Sequence, residues 1–349
     1  MPCGRGYLPA FLYNYMKIVL ATPLYPPDIG GPAKYAHALR QEFIKQGASV
    51  RVVAYSSLER LLPLGVRHVV YALRLLPRVL RADAVLALDT WSVGLPALVV
   101  AKICRTKLLV RIGGDFLWES YVERTKQLIK LSQFYSAPRW LSFKERLIQR
   151  GTHLLLRHTD ALLFTTHWQR DLWQRAYRFP QERAHIVENL YPPVQTVSLA
   201  THKVFVAAGR DIVLKNMPLL HAAFAEVKKT HSDIELDTRT LSAAEHAERI
   251  AQCYAVIVPS VSEVNPNSAI EALAAGKPFI CTADSGIVER LGSVGIFIDT
   301  QNKEALVAAI TELLDAGRYT RAQETLRQFS YTHSWADMAQ EILAIAKKI

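Results

Sequence analysis

The chain has 349 residues, 50% of them hydrophobic and 21% charged. That balance excludes a disordered or fibrous chain and suits two globular domains better than one. The formal net charge of +11 is unevenly divided, with 27 Lys and Arg against 13 Asp and Glu in residues 1–200, and 15 against 18 in residues 201–349. The basic half suits phosphorylated substrates, anionic lipid or nucleic acid, and equally a plain solvated surface.

Residues 1–15 contain Arg5 but no long apolar run, so they read as an upstream extension, disordered and without a fold role. From Met16 onward, short apolar runs alternate with segments of helical periodicity. Residues 17–21, 49–54, 84–88, 107–112 and 161–165 are predicted strands, and residues 33–46 a predicted helix with Tyr35, Leu39, Phe43 and Ile44 on one face. The apolar stretch 84–104 carries Asp89, Gly94, Pro96 and Lys102, which excludes a membrane span and predicts strand, turn and helix instead. Pro192-Pro193 marks a linker. The alternation then resumes, with strands expected at 205–208, 234–236, 255–258, 279–281 and 295–298 and helices at 218–229, 243–253, 268–275 and 304–316. A last helix is expected near 335–348.

This pattern predicts an α/β chain of two Rossmann-like, doubly wound domains facing a central cleft. The expected boundaries are 16–195 and 196–330, with 331–349 a C-terminal helix packing back towards the first domain. Ligands of open parallel sheets bind beyond the carboxyl ends of the strands, so the chemistry is sought there. The four cysteines, Cys3, Cys104, Cys253 and Cys281, are far apart and lack a C-x-x-C pair. They read as reduced, buried thiols of a cytoplasmic protein rather than as zinc ligands or a disulfide framework.

After the first strand, Pro26-Pro27-Asp28-Ile29-Gly30-Gly31-Pro32 opens a helix. Gly30 and Gly31 there either admit an anionic or hydroxyl-rich ligand to the backbone or simply make a tight turn. After residues 205–208 come Gly209-Arg210 and then Lys215, two cations suited to a diphosphate, or to solvent. After residues 255–258 comes Pro259-Ser260-Val261-Ser262-Glu263-Val264-Asn265-Pro266-Asn267-Ser268-Ala269-Ile270-Glu271, running into Ala-Ala-Gly-Lys-Pro at 274–278. Here a helix N-terminus at Asn267 or Ser268 offers N–H groups to a pyrophosphate, Glu271 suits a ribose diol, and Glu263 suits sugar hydroxyls. The plain alternative is a capped helix with solvated glutamates. In the first domain, Arg111-Ile112-Gly113-Gly114-Asp115 follows a strand and so points at the cleft, where Asp115 also suits an N-cap.

The 263–271 segment resembles the E-x7-E signature of family 4, the retaining glycosyltransferases with the glycosyltransferase B fold. The Gly-Gly loop, the Gly209-Arg210…Lys215 pair and the Ala-Ala-Gly-Lys-Pro tail are similar to that family in the same order, from Met16 almost to the end. The resemblance implies a nucleotide-sugar as donor substrate, no cofactor, and a hexosyltransferase-type, metal-independent reaction in polysaccharide, glycan or glycolipid synthesis. It implies Arg210 and Lys215 on the diphosphate, Glu271 on the ribose, and Glu263 on the donor sugar. It also implies Asn267 and Ser268 on the phosphates, Gly30 and Gly31 beside the diphosphate or acceptor, and Asp115 with Glu263 as catalytic residues, Glu119 being the fallback for Asp115. No glycine lies between Gly209 and Gly276, and only one strand–helix unit separates the Arg210 region from residue 255, so the segment through Leu241 must make the base pocket alone.

Two alternatives remain open, an epimerase acting on nucleotide-sugars with the same fold and a degenerate nucleotide-sugar-binding module. No nucleic-acid-binding motif is present, so nucleic acid is not an expected partner. The expected partners are a nucleotide-sugar, a glycan or lipid-linked acceptor, and an anionic membrane surface on which the protein is peripheral. Arg67, Arg74, Arg78 and Arg81, with Leu73, Leu76 and Leu80 alongside, make the basic amphipathic pattern behind that last expectation, although Pro77 would kink it. Arg124, Lys126, Lys130, Arg139, Lys144, Arg146 and Arg150, with Phe134, Tyr135 and Trp140 between them, add a second basic stretch.

Overall fold

The computed structural model describes residues 15–28, 30–195, 202–207 and 212–349. The first domain opens with β1 (Lys17–Thr22), α1 (Gly31–Lys45), β2 (Ser49–Ala54), α2 (Ser57–Leu61) and α3 (Leu64–Val79), then β3 (Ala84–Ala87), α4 (Gly94–Cys104) and β4 (Lys107–Ile112). It continues through α5 (Phe116–Thr125), α6 (Leu131–Phe134) and α7 (Phe143–His158) to β5 (Ala161–Phe164), α8 (His167–Tyr177) and β6 (Ala184–Ile186). The second domain begins with β7 (Lys203–Val206), α9 (Met217–Lys228), β8 (Ile234–Asp237), α10 (Ala243–Gln252), β9 (Ala255–Val258) and α11 (Asn267–Ala274). It ends with β10 (Phe279–Thr282), α12 (Val288–Leu291), β11 (Ile296–Ile298), α13 (Lys303–Leu314) and α14 (Ala316–Gln328), and α15 (Trp335–Lys348) follows.

Every strand pairing is parallel. The first sheet runs β2-β1-β3-β4-β5-β6 and the second β11-β10-β9-β7-β8. Val and Leu fill strands buried on both faces, as a doubly wound sheet requires. In β1, Val19 and Ala21 enter the core beneath α3, α4 and α7, while Ile18 and Leu20 enter the core beneath α1 and α15. The opposite sense of the crossovers accounts for the split: α1 moves from β1 out to β2, whereas α3, α4 and α7 move the other way across the sheet.

Helix α15 lies on the first domain although it follows the second. Met338, Ala339, Ile342, Leu343 and Ala346 pack with Leu39 and Phe43 of α1. The Tyr35 and Trp335 rings meet edge to face at 5.3 Å. The crossing is anchored by a backbone bridge between Tyr191 and His333, and the His333 ring adds a contact to the Asn189 carbonyl at 3.1 Å.

A second seam joins the domains near the carboxyl ends of the strands. Leu214, Val261 and Val264 from the second domain enter the first domain's core. The Leu131 N–H donates to Ser262 Oγ at 2.8 Å, Ser262 Oγ donates to Asp284, and Lys130 pairs with Asp299 at 2.8 Å.

Candidate active site

The site lies where the carboxyl ends of β7 and β9, neighbours in the second sheet, meet the Gly-Gly loop of the first domain. After β7 the chain makes a single 3₁₀ turn, Val213–Lys215, and Asn216 adopts a left-handed conformation with φ of 48°. Its side chain donates to the Thr300 carbonyl at 2.6 Å, which fixes the turn that presents Lys215. Lys215 Nζ lies 2.6 Å from Glu263 Oε1, and Ser260 Oγ donates to the same oxygen at 2.6 Å. Glu263 is held from below by the Asp284 carbonyl, which accepts its N–H, and by Gly286, whose N–H donates to the Glu263 carbonyl. A lysine and a glutamate from two loops therefore share one place. Arg210 and Gly209 lie outside the described residues.

Helix α11 starts at Asn267 behind Pro266, and no side chain among the described residues caps its first turn. Neither Asn267 nor Ser268 takes the N-cap position, so the positive end of the helix is left for another acceptor. Asn267 is exposed and Ser268 half-buried. Glu271, one turn in, is partly exposed and lies 3.3 Å from the His246 ring of α10. The helix ends in a Schellman arrangement: Gly276, with φ of 63°, donates to the Leu273 carbonyl and Lys277 N–H to that of Ala272. That geometry explains the glycine of the Ala-Ala-Gly-Lys-Pro tail. Lys277 itself is buried, and burial pulls its ammonium below the ordinary lysine value.

The Gly-Gly loop reaches this helix from the first domain. Gly30 has φ of 131°, a conformation few side chains tolerate, and its carbonyl accepts the N–H of Lys34 in the first turn of α1. A Cβ on Gly31 would stand 3.1 Å from the Asn267 side-chain nitrogen. The second glycine is thus explained by close approach between the domains.

Asp115, expected near the reacting centre, is held inside the first domain. It is 2% exposed and caps α5, accepting from the Trp118 N–H at 2.9 Å. Its other oxygen accepts from Tyr135 Oη at 2.7 Å and Trp173 Nε1 at 2.9 Å. Burial pushes its carboxyl above the usual range, against the pull of those three donors. The N-cap alternative describes it. Glu119, one turn further along, is half-buried with a neighbour of its own.

Leu241 lies half-buried in the loop between β8 and α10, at the edge of the second sheet. The loop's root is pinned by Asp237, which binds Arg239 at 2.8 Å and also Arg249. Only β8 and α10 stand between the β7–α9 unit and β9, as the glycine-poor segment implies.

The pattern search missed the opposite wall. A cleft of about 560 Å³ is lined by His167, Trp168, Arg170 and Asp171 at the start of α8 and by Ser285 and Glu289 from the second domain. Ser285 bridges to Glu263, so this cleft opens beside the lysine–glutamate pair. The signal was available in Thr165-Thr166-His167, which directly follows β5. Among the described residues, no three His, Cys, Asp or Glu side chains cluster as metal ligands would.

These features define a class, the two-domain glycosyltransferase B fold. Residues 237–316 match the model of the family Glycosyl transferases group 1, a span from the end of β8 to the start of α14 that contains Glu263, Asn267, Ser268 and Glu271. HepE of Anabaena, solved in complex with UDP, superposes with a TM-score of 0.67 at 13% identity over 96% of this chain and 100% of that one. WaaG, a glycosyltransferase involved in lipopolysaccharide biosynthesis, gives 0.63 at 14% identity over 94% and 99%. A UDP-N-acetylglucosamine 2-epimerase candidate from Listeria monocytogenes gives 0.60 at 16% identity over 96% of both. No curated protein matches the chain in sequence.

Proposed function

We propose that the protein transfers a sugar from a nucleotide-sugar to a hydroxyl acceptor, with retention at the anomeric carbon and without a metal ion. One observation carries this reading: Lys215 and Glu263 meet at 2.6 Å in the same loop system as the uncapped start of α11. Donor binding then exchanges partners. The diphosphate takes Lys215, Arg210 and the N–H groups at Asn267 and Ser268, which frees Glu263 for sugar hydroxyls and leaves Glu271 for the ribose. Gly30 and Gly31 leave room for the diphosphate, and Leu241 borders the base. In the reaction, the bond from the anomeric carbon to the leaving phosphate breaks as the acceptor oxygen bonds to that carbon, and the hydroxyl proton departs on the nucleoside diphosphate.

The test is a panel of nucleotide-sugars screened by thermal shift, followed by product analysis with the donor that stabilises most. A glycoside of the donor's own anomeric configuration, formed in excess chelator, is the expected result. Interconversion of the donor sugar without transfer would make the protein an epimerase. Donor binding with no turnover on any acceptor tried would leave a binding module. A strict need for magnesium or manganese would overturn the metal-free step.

A further inference from the structure

Helices α3, α4 and α7 lie side by side on one face of the first sheet. Their outer surfaces have a composition unusual for a solvated face. Val66, Val69, Leu73 and Leu80 stand exposed on one stripe along α3 and the residue after it, and Val99 and Ile103 stand exposed one turn apart on α4. On α7, Phe143, Leu147 and Leu154 repeat at spacings of four and seven. Scattered surface leucines need no explanation, but three adjacent helices each presenting an apolar stripe form a patch.

The charge on this layer has one sign. The three helices carry eight Lys and Arg and a single acid, Glu145. That acid is turned inward, its side chain 1% exposed and bound by Arg124. Lys102 on α4 and Lys144, Arg146, Arg150 and Arg157 on α7 are exposed. On α3 the charge is less free: Arg74 is paired with the buried Glu59, and Arg67 stacks on Tyr55. Pro77 sits in the last turn of a continuous α3 and does not break it. The anionic-surface pattern expected for α3 and for the basic stretch 124–150 is therefore shared by three helices, with α7 supplying most of the free charge.

The patch also reaches the rim of the cleft. All three helices run against the strands, so their N-termini lie at the carboxyl ends of the sheet. Trp140, 94% exposed and just before α7, and Phe143, its first residue, stand there, as do Leu58 and Leu61 on α2.

We propose that this face docks the protein on an anionic lipid bilayer. The apolar stripes enter the headgroup boundary, and the arginines and lysines beside them meet the lipid phosphates. No helix among the described residues is long and apolar enough to cross a membrane, so the contact is with the surface. The occupant follows from charge complementarity: a second copy of this chain would bring the same positive layer to face itself. Docked this way, the cleft rim lies at the lipid surface and suits an acceptor anchored in the same bilayer. That last step rests on the transferase reading, whereas docking does not.

Co-sedimentation separates the two. With vesicles of phosphatidylcholine, and of phosphatidylcholine containing about 30% phosphatidylglycerol, binding should be at least tenfold stronger to the anionic ones and should fall as salt rises. Leu73→Glu with Val99→Glu should remove it by opposing insertion, and Arg146→Glu with Arg150→Glu by reversing charge. Both variants should keep the parent's thermal-shift response to the donor nucleotide. Equal recovery with both vesicles, or variants that bind as the parent does, would overturn the proposal. So would a lipid-free dimer that Leu73→Glu dissociates, which would assign the face to a second copy.

Discussion

At the scale of single residues, the structure separates partly exposed charges at the strand ends from a carboxylate buried among donors. Lys215 holds Glu263, and Glu271 meets the His246 ring from a partly exposed position. Loss of a charge-assisted contact costs about 1.5–3 kcal/mol, so Lys215→Ala and Glu271→Ala should each weaken donor affinity by about ten- to a hundredfold in titration calorimetry. Their thermal stability without ligand should change little. Asp115 is the opposite case. Asp115→Ala removes an acceptor from three buried donors and should lower stability by about 1–3 kcal/mol in chemical denaturation, with donor affinity unchanged. The sequence could not separate these roles. A strand end reads alike whether its carboxylate looks out or in, and the deciding partner, Trp173, lies 58 residues away.

At the scale of elements, long amphipathic segments were legible and short or polar ones were not. The last helix was predicted over the residues it occupies, and ten strands were recognised within two residues of their observed limits. Strand β6 was missed because its three residues are only half-buried and give no period. Helix α14 was missed because it begins at Ala316-Gly317 and buries only Tyr319, Gln323 and Leu326, a stripe too polar to read. The capping box of α7 yields a test in pH. Burial alone would raise the Glu145 carboxyl, but two bonds from Arg124 and one from the Ser142 N–H outweigh it and hold it below its ordinary value. A carboxylate lowered in the folded state stabilises above its unfolded value, and that contribution vanishes as pH falls through the folded one. Glu145→Gln should therefore be less stable than the parent near neutrality. The gap should close as pH drops below about 4, the carboxylate range of unfolded chains. A gap that stays constant with pH would show that Glu145 contributes by packing alone.

At the scale of the whole molecule, two Rossmann-like units facing a cleft followed from the alternation of strand and helix, and the paired sheets bear that out. The seams between them were not legible, since Leu131 with Ser262 and Gln301 with Leu128 join residues more than a hundred positions apart. The largest tie, α15 on the first domain, was by contrast expected from the sequence. Ile342 is fully buried against the first domain, and Ile342→Ala should cost about 2–5 kcal/mol through lost burial and the cavity left behind. Denaturation should report that loss with fluorescence from first-domain tryptophans such as Trp91 and Trp173, although the substitution lies outside that domain's own stretch of sequence.

The position of α15 also orders events during synthesis. Domains usually fold as they leave the ribosome, the N-terminal one first. Here α1 keeps an apolar stripe uncovered until α15 has been made, after both sheets. The nascent first domain thus spends the translation time of the whole second domain with an open hydrophobic groove. That interval is where a holding chaperone would act, and where a ribosome stalled before α15 would release an aggregation-prone chain.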